Sequence, residues 1–156
     1  MNKKDLLIIS YLRRNARITL TNISKKTSIA VSTIYDKIKD FEQSLITKHT
    51  AILNFNRLGF TTRAIITLSV DKNSREEASQ YLRKNGAINT VYKINNGYDF
   101  MVEGVFRSIK EAEDLLENMD SRFRIKKRQV YYIIDDIKKE EFMSDPALVD
   151  LFSCDG

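Results

Sequence analysis

The feature that most constrains this chain is a change of hydrophobic period near residue 60. Before it, apolar residues recur at intervals of three and four; after it they alternate. Such a chain builds helices first and a sheet afterwards, so its class is α+β. Only Pro146 and five glycines punctuate the 156 residues, so boundaries have to come from periodicity.

The amino-terminal part reads as three helices. Asn2 suits an N-cap, and Asp5 repeats the capping-box logic with a shorter acid. Ile8, Ile9 and Leu12 follow at helical spacing, and Asn15 is a stop. Thr19 caps a short second helix with Leu20 and Ile23 inward and small Ser24 at the crossing. Thr27-Ser28-Ile29 reads as a tight turn with Ile29 inward. A third helix runs from Val31 to Ser44, with Ile34, Ile38 and Phe41 on one face. Its other face carries Ser32, Thr33, Tyr35, Asp36, Lys37, Lys39 and Asp40. Short helices around a three- or four-residue turn describe a helix-turn-helix. Short polar and cationic residues at the start of its last helix are the types that reach base edges and phosphates.

Charge points the same way. Residues 1–60 carry 11 Lys/Arg against 4 Asp/Glu, a net of +7, while residues 61–156 carry 15 against 17. A basic head on a slightly acidic body suits a polyanion partner. Residues 47–53 look extended, a wing in the making, and residues 54–59 have turn chemistry suited to a linker.

From Thr61 the period becomes two. Ala64, Ile66, Leu68 and Val70 alternate with Arg63, Thr67 and Ser69 in a first strand. Ser74-Arg75-Glu76-Glu77 and Ser108-Ile109-Lys110-Glu111 are S-x-x-E capping boxes, each opening a helix. Strands are predicted over 88–94, 98–106 and 124–137, the last with Val130, Tyr132 and Ile134 on one side. Asn95-Asn96-Gly97 marks the turn before the third. The order β-α-β-β-α-β is a ferredoxin-like plan. The domains are then 1–47 (helix-turn-helix), 48–60 (wing and linker), 61–137 (ferredoxin-like) and 138–156 (tail). In the tail, Ala147, Leu148, Leu151 and Phe152 fit one apolar helical face, docked on the sheet or a neighbour, or loosely held.

Several classes receive no support. Cys154 is the only cysteine, which excludes an intramolecular disulfide and a zinc cluster and reads as inert. No apolar run approaches the ~20 residues of a membrane span. The charged start lacks a secretory h-region, so a reducing cytoplasm is expected. No H-E-x-x-H, G-x-S-x-G or phosphate-cradling glycine loop is present. The doublets Asp135-Asp136 and Glu140-Glu141 read as solvated charge rather than a metal site. His49, beside Lys48, is either a surface residue or a phosphate contact. No cofactor, metal or catalytic residue is expected.

The whole order resembles the leucine-responsive regulator/AsnC (Lrp/AsnC) family, the feast-or-famine transcription regulators. Asp5 with Ile8-Ile9 and Leu12 is similar to the family's first helix, and Ala16-Arg17-Ile18-Thr19 to its link into the second. Ser32-Thr33-Ile34 with Lys37-Ile38-Lys39 and Glu42 resembles its recognition helix. Ala51-Ile52-Leu53-Asn54 with Leu58-Gly59 resembles its linker, and Gly97-Tyr98-Asp99-Phe100 its Gly-x-Asp signature. The chain departs from the family at Ser28 and Leu45, where Gly is usual, and at Ala30, where a Ser N-cap is usual. Ser32 is an alternative cap that would start the helix later and shift the reading residues.

The resemblance implies a sequence-specific DNA-binding regulator on a winged-helix-like head and a ferredoxin-like effector and oligomerisation domain. Ser32, Thr33, Asp36 and Lys37 are expected at base edges, with Arg17, Thr21, Lys25, Lys26, Lys39 and Lys48 at phosphates. A sheet covered by helices on one side leaves an apolar face of alternating Ile, Val and Tyr, which a homodimer would cover; the family builds octamers from such dimers. It also implies an amino-acid-like effector at Gly97, Tyr98 and Asp99. Lys126, Lys127 and Arg128 beside that turn would favour an anionic ligand, or close the site through an Arg128–Asp99 pair. Two alternatives remain. One is an effector-independent architectural DNA protein. The other is a tetrapyrrole decarboxylase-like enzyme of similar architecture, which the lack of histidine after residue 49 disfavours.

Overall fold

A computed structural model describes residues 1–153, so Cys154 lies outside the described residues. The chain divides into two compact units, residues 1–51 with 137–156, and residues 52–136.

The first unit contains α1 (Lys3–Arg14), α2 (Leu20–Thr27) and α3 (Val31–Ser44). Asn2 and Thr19 cap their helices: Asn2 Oδ1 accepts from the Asp5 N–H at 2.9 Å and Thr19 Oγ1 from the Asn22 N–H at 3.2 Å. The second half of the expected capping box is absent. The Asp5 carboxylate turns to Lys37 of α3 instead, with Nζ 3.2 Å from Oδ1. The approach lies off a hydrogen-bond line, so the contact is ionic. Ile8, Ile23, Ile29, Ile34 and Phe41 form the core of this unit. Each such side chain contributes about 1.5–3 kcal/mol when fully buried.

Ser28 sits in left-handed backbone at φ 58°, which explains why glycine suits that turn. Helix α3 starts at Val31 with Ala30 as an N-cap that makes no side-chain hydrogen bond. Ser32 therefore lies inside the first turn, and the register with a later start is not adopted. Leu45 ends α3 at φ −126°, a conformation that needs no glycine. Residues 46–54, which include the extended segment expected over 47–53, carry no regular element.

The tail belongs to this unit. A 3-10 helix over Pro146–Phe152 packs on α1. Its period of three buries Val149, at 2% exposure, and leaves Leu148 and Leu151 exposed, contrary to the α-helical face expected there. Lys3 pairs with Asp150 at 2.6 Å. Arg13 donates to the carbonyls of Glu140 and Phe142, both at 3.0 Å, and pairs with the Glu140 carboxylate. Glu140 is thus structural rather than merely solvated.

The second unit contains β1 (Thr62–Val70), α4 (Arg75–Lys84), β2 (Ile88–Lys93), β3 (Phe100–Phe106), α5 (Ile109–Arg122) and β4 (Ile125–Tyr132). All pairings are antiparallel, in the order β2-β3-β1-β4. Ala64, Ile66, Leu68, Val70, Phe100, Val102 and Phe106 bury the helix-covered face against Ala78, Leu82, Leu115, Leu116, Met119 and Phe123. Gly104 sits on this face because a Cβ there would collide with the Phe106 ring.

The two predicted capping boxes behave differently. Ser108 Oγ accepts from the Glu111 N–H at 3.3 Å, while Glu111 accepts from the Arg107 N–H at 2.8 Å. Ser74 makes no cap bond, because Asp71 caps a preceding 3-10 turn (Lys72–Ser74) that runs straight into α4. The Asn73 N–H and then the Lys126 ammonium hold the Asp71 carboxyl below its ordinary range.

The last strand is shorter than the sequence suggests. It ends at Tyr132, and Ile134 is 99% exposed. The open face is also more polar than expected. Ile65, Met101, Val105, Tyr92 and Tyr131 share it with Arg63, which pairs with Glu103 at 2.8 Å and Asp136 at 2.6 Å. Asp136 is therefore an ion-pair partner. With Glu103 it raises the Arg63 pKa above its ordinary value, Asp136 contributing most.

Candidate nucleic-acid interface

Helix α3 offers the site. Its buried line is Ile34 and Phe41, and Ser32, Thr33, Tyr35, Asp36 and Lys39 are exposed. The three residues between α2 and α3 are Ser28, Ile29 and Ala30, and Ile29 anchors the turn in the core. That anchoring packs α3 against α2 through Ile23, Ile29 and Ile34, the arrangement of a helix-turn-helix.

Of the base-edge candidates, Ser32, Thr33 and Asp36 share the exposed side. Lys37 does not join them. It is half-buried on the flank of α3, held by Asp5 of α1. Tyr35 joins this face as a residue not among the sequence-predicted site residues. Its ring is 47% exposed and lies 4.7 Å from Lys39 Nζ, a cation–π contact. An aromatic on the outward face of the helix was the available signal.

The phosphate candidates Arg17, Thr21, Lys25, Lys26, Lys39 and Lys48 are all exposed. Arg17 follows a turn in which its N–H donates to Asn15 Oδ1 at 2.9 Å. Lys26 Nζ stands 5.7 Å from the Tyr11 ring. His49 lies 3.3 Å from Glu42, a local partner on α3.

The turn between β2 and β3 is a second candidate site. Asn96 and Gly97 are both left-handed, at φ 64° and 84°, as a tight Asn-Gly hairpin requires. Asp99 is committed within the fold. Its carboxylate accepts from the Val70 N–H at 2.8 Å and pairs with Arg75 at 2.7 Å. Arg75, 24 residues away in sequence, had no local signal. Arg128 pairs with Asp120 of α5, so the expected Arg128–Asp99 pair does not form. Lys127 is the cation beside the turn, with Nζ 6.0 Å from the Tyr98 ring and 3.8 Å from where a Cβ on Gly97 would stand.

Known proteins agree with this arrangement. Residues 1–44 match a winged helix-turn-helix DNA-binding family. The HTH-type transcriptional regulator FL11 of Pyrococcus furiosus is 32% identical over 118 residues, covering 75% of this chain and 78% of the relative. Another HTH-type transcriptional regulator of that organism is 29% identical over 143 residues, covering 91% and 96%. Two solved structures share the fold. A Neisseria meningitidis transcriptional regulator in complex with L-Met has a TM-score of 0.82 at 20% identity, covering 89% of this chain and 93% of its own. AsnC of E. coli has a TM-score of 0.81 at 17% identity, covering 92% and 98%.

A helix-turn-helix head and a ferredoxin-like body of this order define a DNA-binding transcription regulator. The chain belongs to the Lrp/AsnC family of such regulators.

Proposed function

We propose that the chain binds a two-fold symmetric operator as a homodimer, reading each half-site with α3. The observation that carries this reading is the exposed polar face of α3 beside the exposed cations Arg17, Lys25, Lys26, Lys39 and Lys48. Two recognition helices on a two-fold axis read half-sites about 10–10.5 bp apart, or a multiple of this. The open sheet face, with Ile65, Met101 and Val105 at its centre, supports pairing of two bodies; octamers would follow from association of dimers. The domain scheme follows: residues 1–47 read DNA, 48–60 connect, 61–137 pair and sense, and within the 138–156 tail the described residues brace the head.

The turn at Gly97, Tyr98 and Asp99 supports an effector site of altered chemistry. Asp99 is already paired, and Lys127 stands beside the turn, so a small anionic ligand fits better than a neutral amino acid. Arg128 takes no direct part in this reading. The protein acts in the cytoplasm on DNA and carries out no catalytic step. Among the described residues, no helix is long and apolar enough to cross a membrane.

A mobility-shift assay on the promoter of the chain's own gene tests the regulator reading. A discrete complex that survives excess random duplex is expected. Complexes equally abundant on every duplex would favour the architectural alternative.

A further inference from the structure

The direction of each α3 side chain follows from the helical period. Ile34 is fully buried and marks the inward line. At about 100° per residue, Asp36 lies about 200° from that line, close to the outer pole. Ser32 and Lys39 lie to one side of it at about 160° and 140° and Asp40 to the other at about 240°, while Lys37, at about 300°, lies beside the core. Asp36 and Ser32 therefore stand equally close to the outer pole of the helix's first two turns, and Asp36 is the charged group of the two. Asp36 is exposed, and among the described residues no hydrogen bond or ion pair engages its side chain.

We propose that Asp36 sets the sequence preference of this regulator by accepting a hydrogen bond from a cytosine amino group in the major groove. The inference deepens the reading above and rests on α3 entering that groove. A carboxylate only accepts. The donors on major-groove edges are cytosine N4 and adenine N6. Beside adenine N6 stands N7, an acceptor that repels the second carboxylate oxygen. Beside cytosine N4 stands the C5–H, which carries no lone pair. Cytosine is thus the base that a lone carboxylate selects.

Repulsion supplies the rest of the discrimination. A head with a net charge of +7 over residues 1–60 favours any duplex alike. At a site without the amino group, Asp36 faces phosphates and base acceptors and opposes binding. At the operator the same group is satisfied. Asp36 therefore lowers affinity for bulk DNA and spares the operator, a specificity made by disfavouring wrong partners.

The test is selection from a randomised duplex library by the full chain, with Asp36→Ala and Asp36→Asn beside wild type, and titration of each against random duplex. The wild type should enrich a C·G pair at symmetric positions of both half-sites. Asp36→Ala should lose about tenfold discrimination at those positions only and bind random duplex more tightly. Asp36→Asn, which both donates and accepts, should shift the same positions toward A·T. Thermal melts report whether the variants fold, and the isosteric Asn carries the test if Ala does not. An operator selected identically by all three proteins overturns the Asp36 assignment and leaves the regulator reading intact. Weaker binding of Asp36→Ala to random duplex also overturns it. A wild type that selects no sequence overturns both.

Discussion

Lys37 of α3 reaches back to Asp5 of α1, 3.2 Å away, and so braces the helix that carries the reading face. The Asp5 side chain is 11% exposed and Lys37 37% exposed, so the pair is neither a solvated surface bridge nor a fully buried one. Lys37→Ala should destabilise the head by about 1–3 kcal/mol, between the exposed and buried limits, because it leaves a shielded carboxylate without a counter-charge. Asp5→Ala should cost less, since the freed ammonium can reach water. In DNA titrations of folded protein, Lys39→Ala should weaken binding to all sequences alike. Lys37→Ala should have the smaller effect. Equal losses from both would place Lys37 on the DNA.

The turn and the cap of α3 carry local defects that point substitutions should repair. Ala30→Ser supplies a missing cap acceptor and should stabilise the chain by about 1 kcal/mol. Ser28→Gly relieves a left-handed residue at φ 58°, and a gain of about 0.5–1 kcal/mol is expected after glycine's own entropy cost. Denaturant melts at constant m-value measure both. A loss at either position would mean that the turn is held differently.

How much of this was legible in the sequence depends on the range of each interaction. Helix α3 was read to both ends, because Ile34, Ile38 and Phe41 repeat at its own period. The caps at Asn2, Thr19 and Ser108 were legible for the same reason: donor and acceptor lie three residues apart. Lys37 and Arg75 were not, since their partners Asp5 and Asp99 lie on other elements and leave no local pattern. Ser74 misled because Asp71, just upstream, took over the capping. In the tail, reading a period of 3.6 where the chain adopts three put Leu148 in place of Val149.

The pairing of Asp99 with Arg75 has a ligand consequence. Neutral amino acids at millimolar concentration should leave the melting temperature unchanged. A ligand present at about 100 times its dissociation constant would stabilise the native state by about 2.7 kcal/mol, well within detection. Stabilisation by leucine or glutamine that Asp99→Ala abolishes would contradict the preference for an anionic ligand. Small dicarboxylates belong in the same screen, with Lys127→Ala as the control for charge.

The open sheet face should hold two chains together. The full chain is expected to sediment as a dimer or larger at micromolar concentration. Ile65→Asp, at the middle of β1 on the open face, should shift it toward monomer by burying a carboxylate in the contact. A wild-type monomer, or an Ile65→Asp variant that sediments as wild type does, would assign the contact elsewhere.

The central claim is a two-fold, sequence-specific contact made by α3 with a surround of cations. Anisotropy titrations of one palindromic operator and its scrambled duplex, repeated across salt concentrations, test it most directly. Binding to the operator is expected to be at least about 10³-fold tighter than to the scrambled duplex. A log–log salt slope of several units is also expected, each neutralised phosphate contributing about −0.9. Equal affinities for the two duplexes, whatever the slope, would contradict the claim.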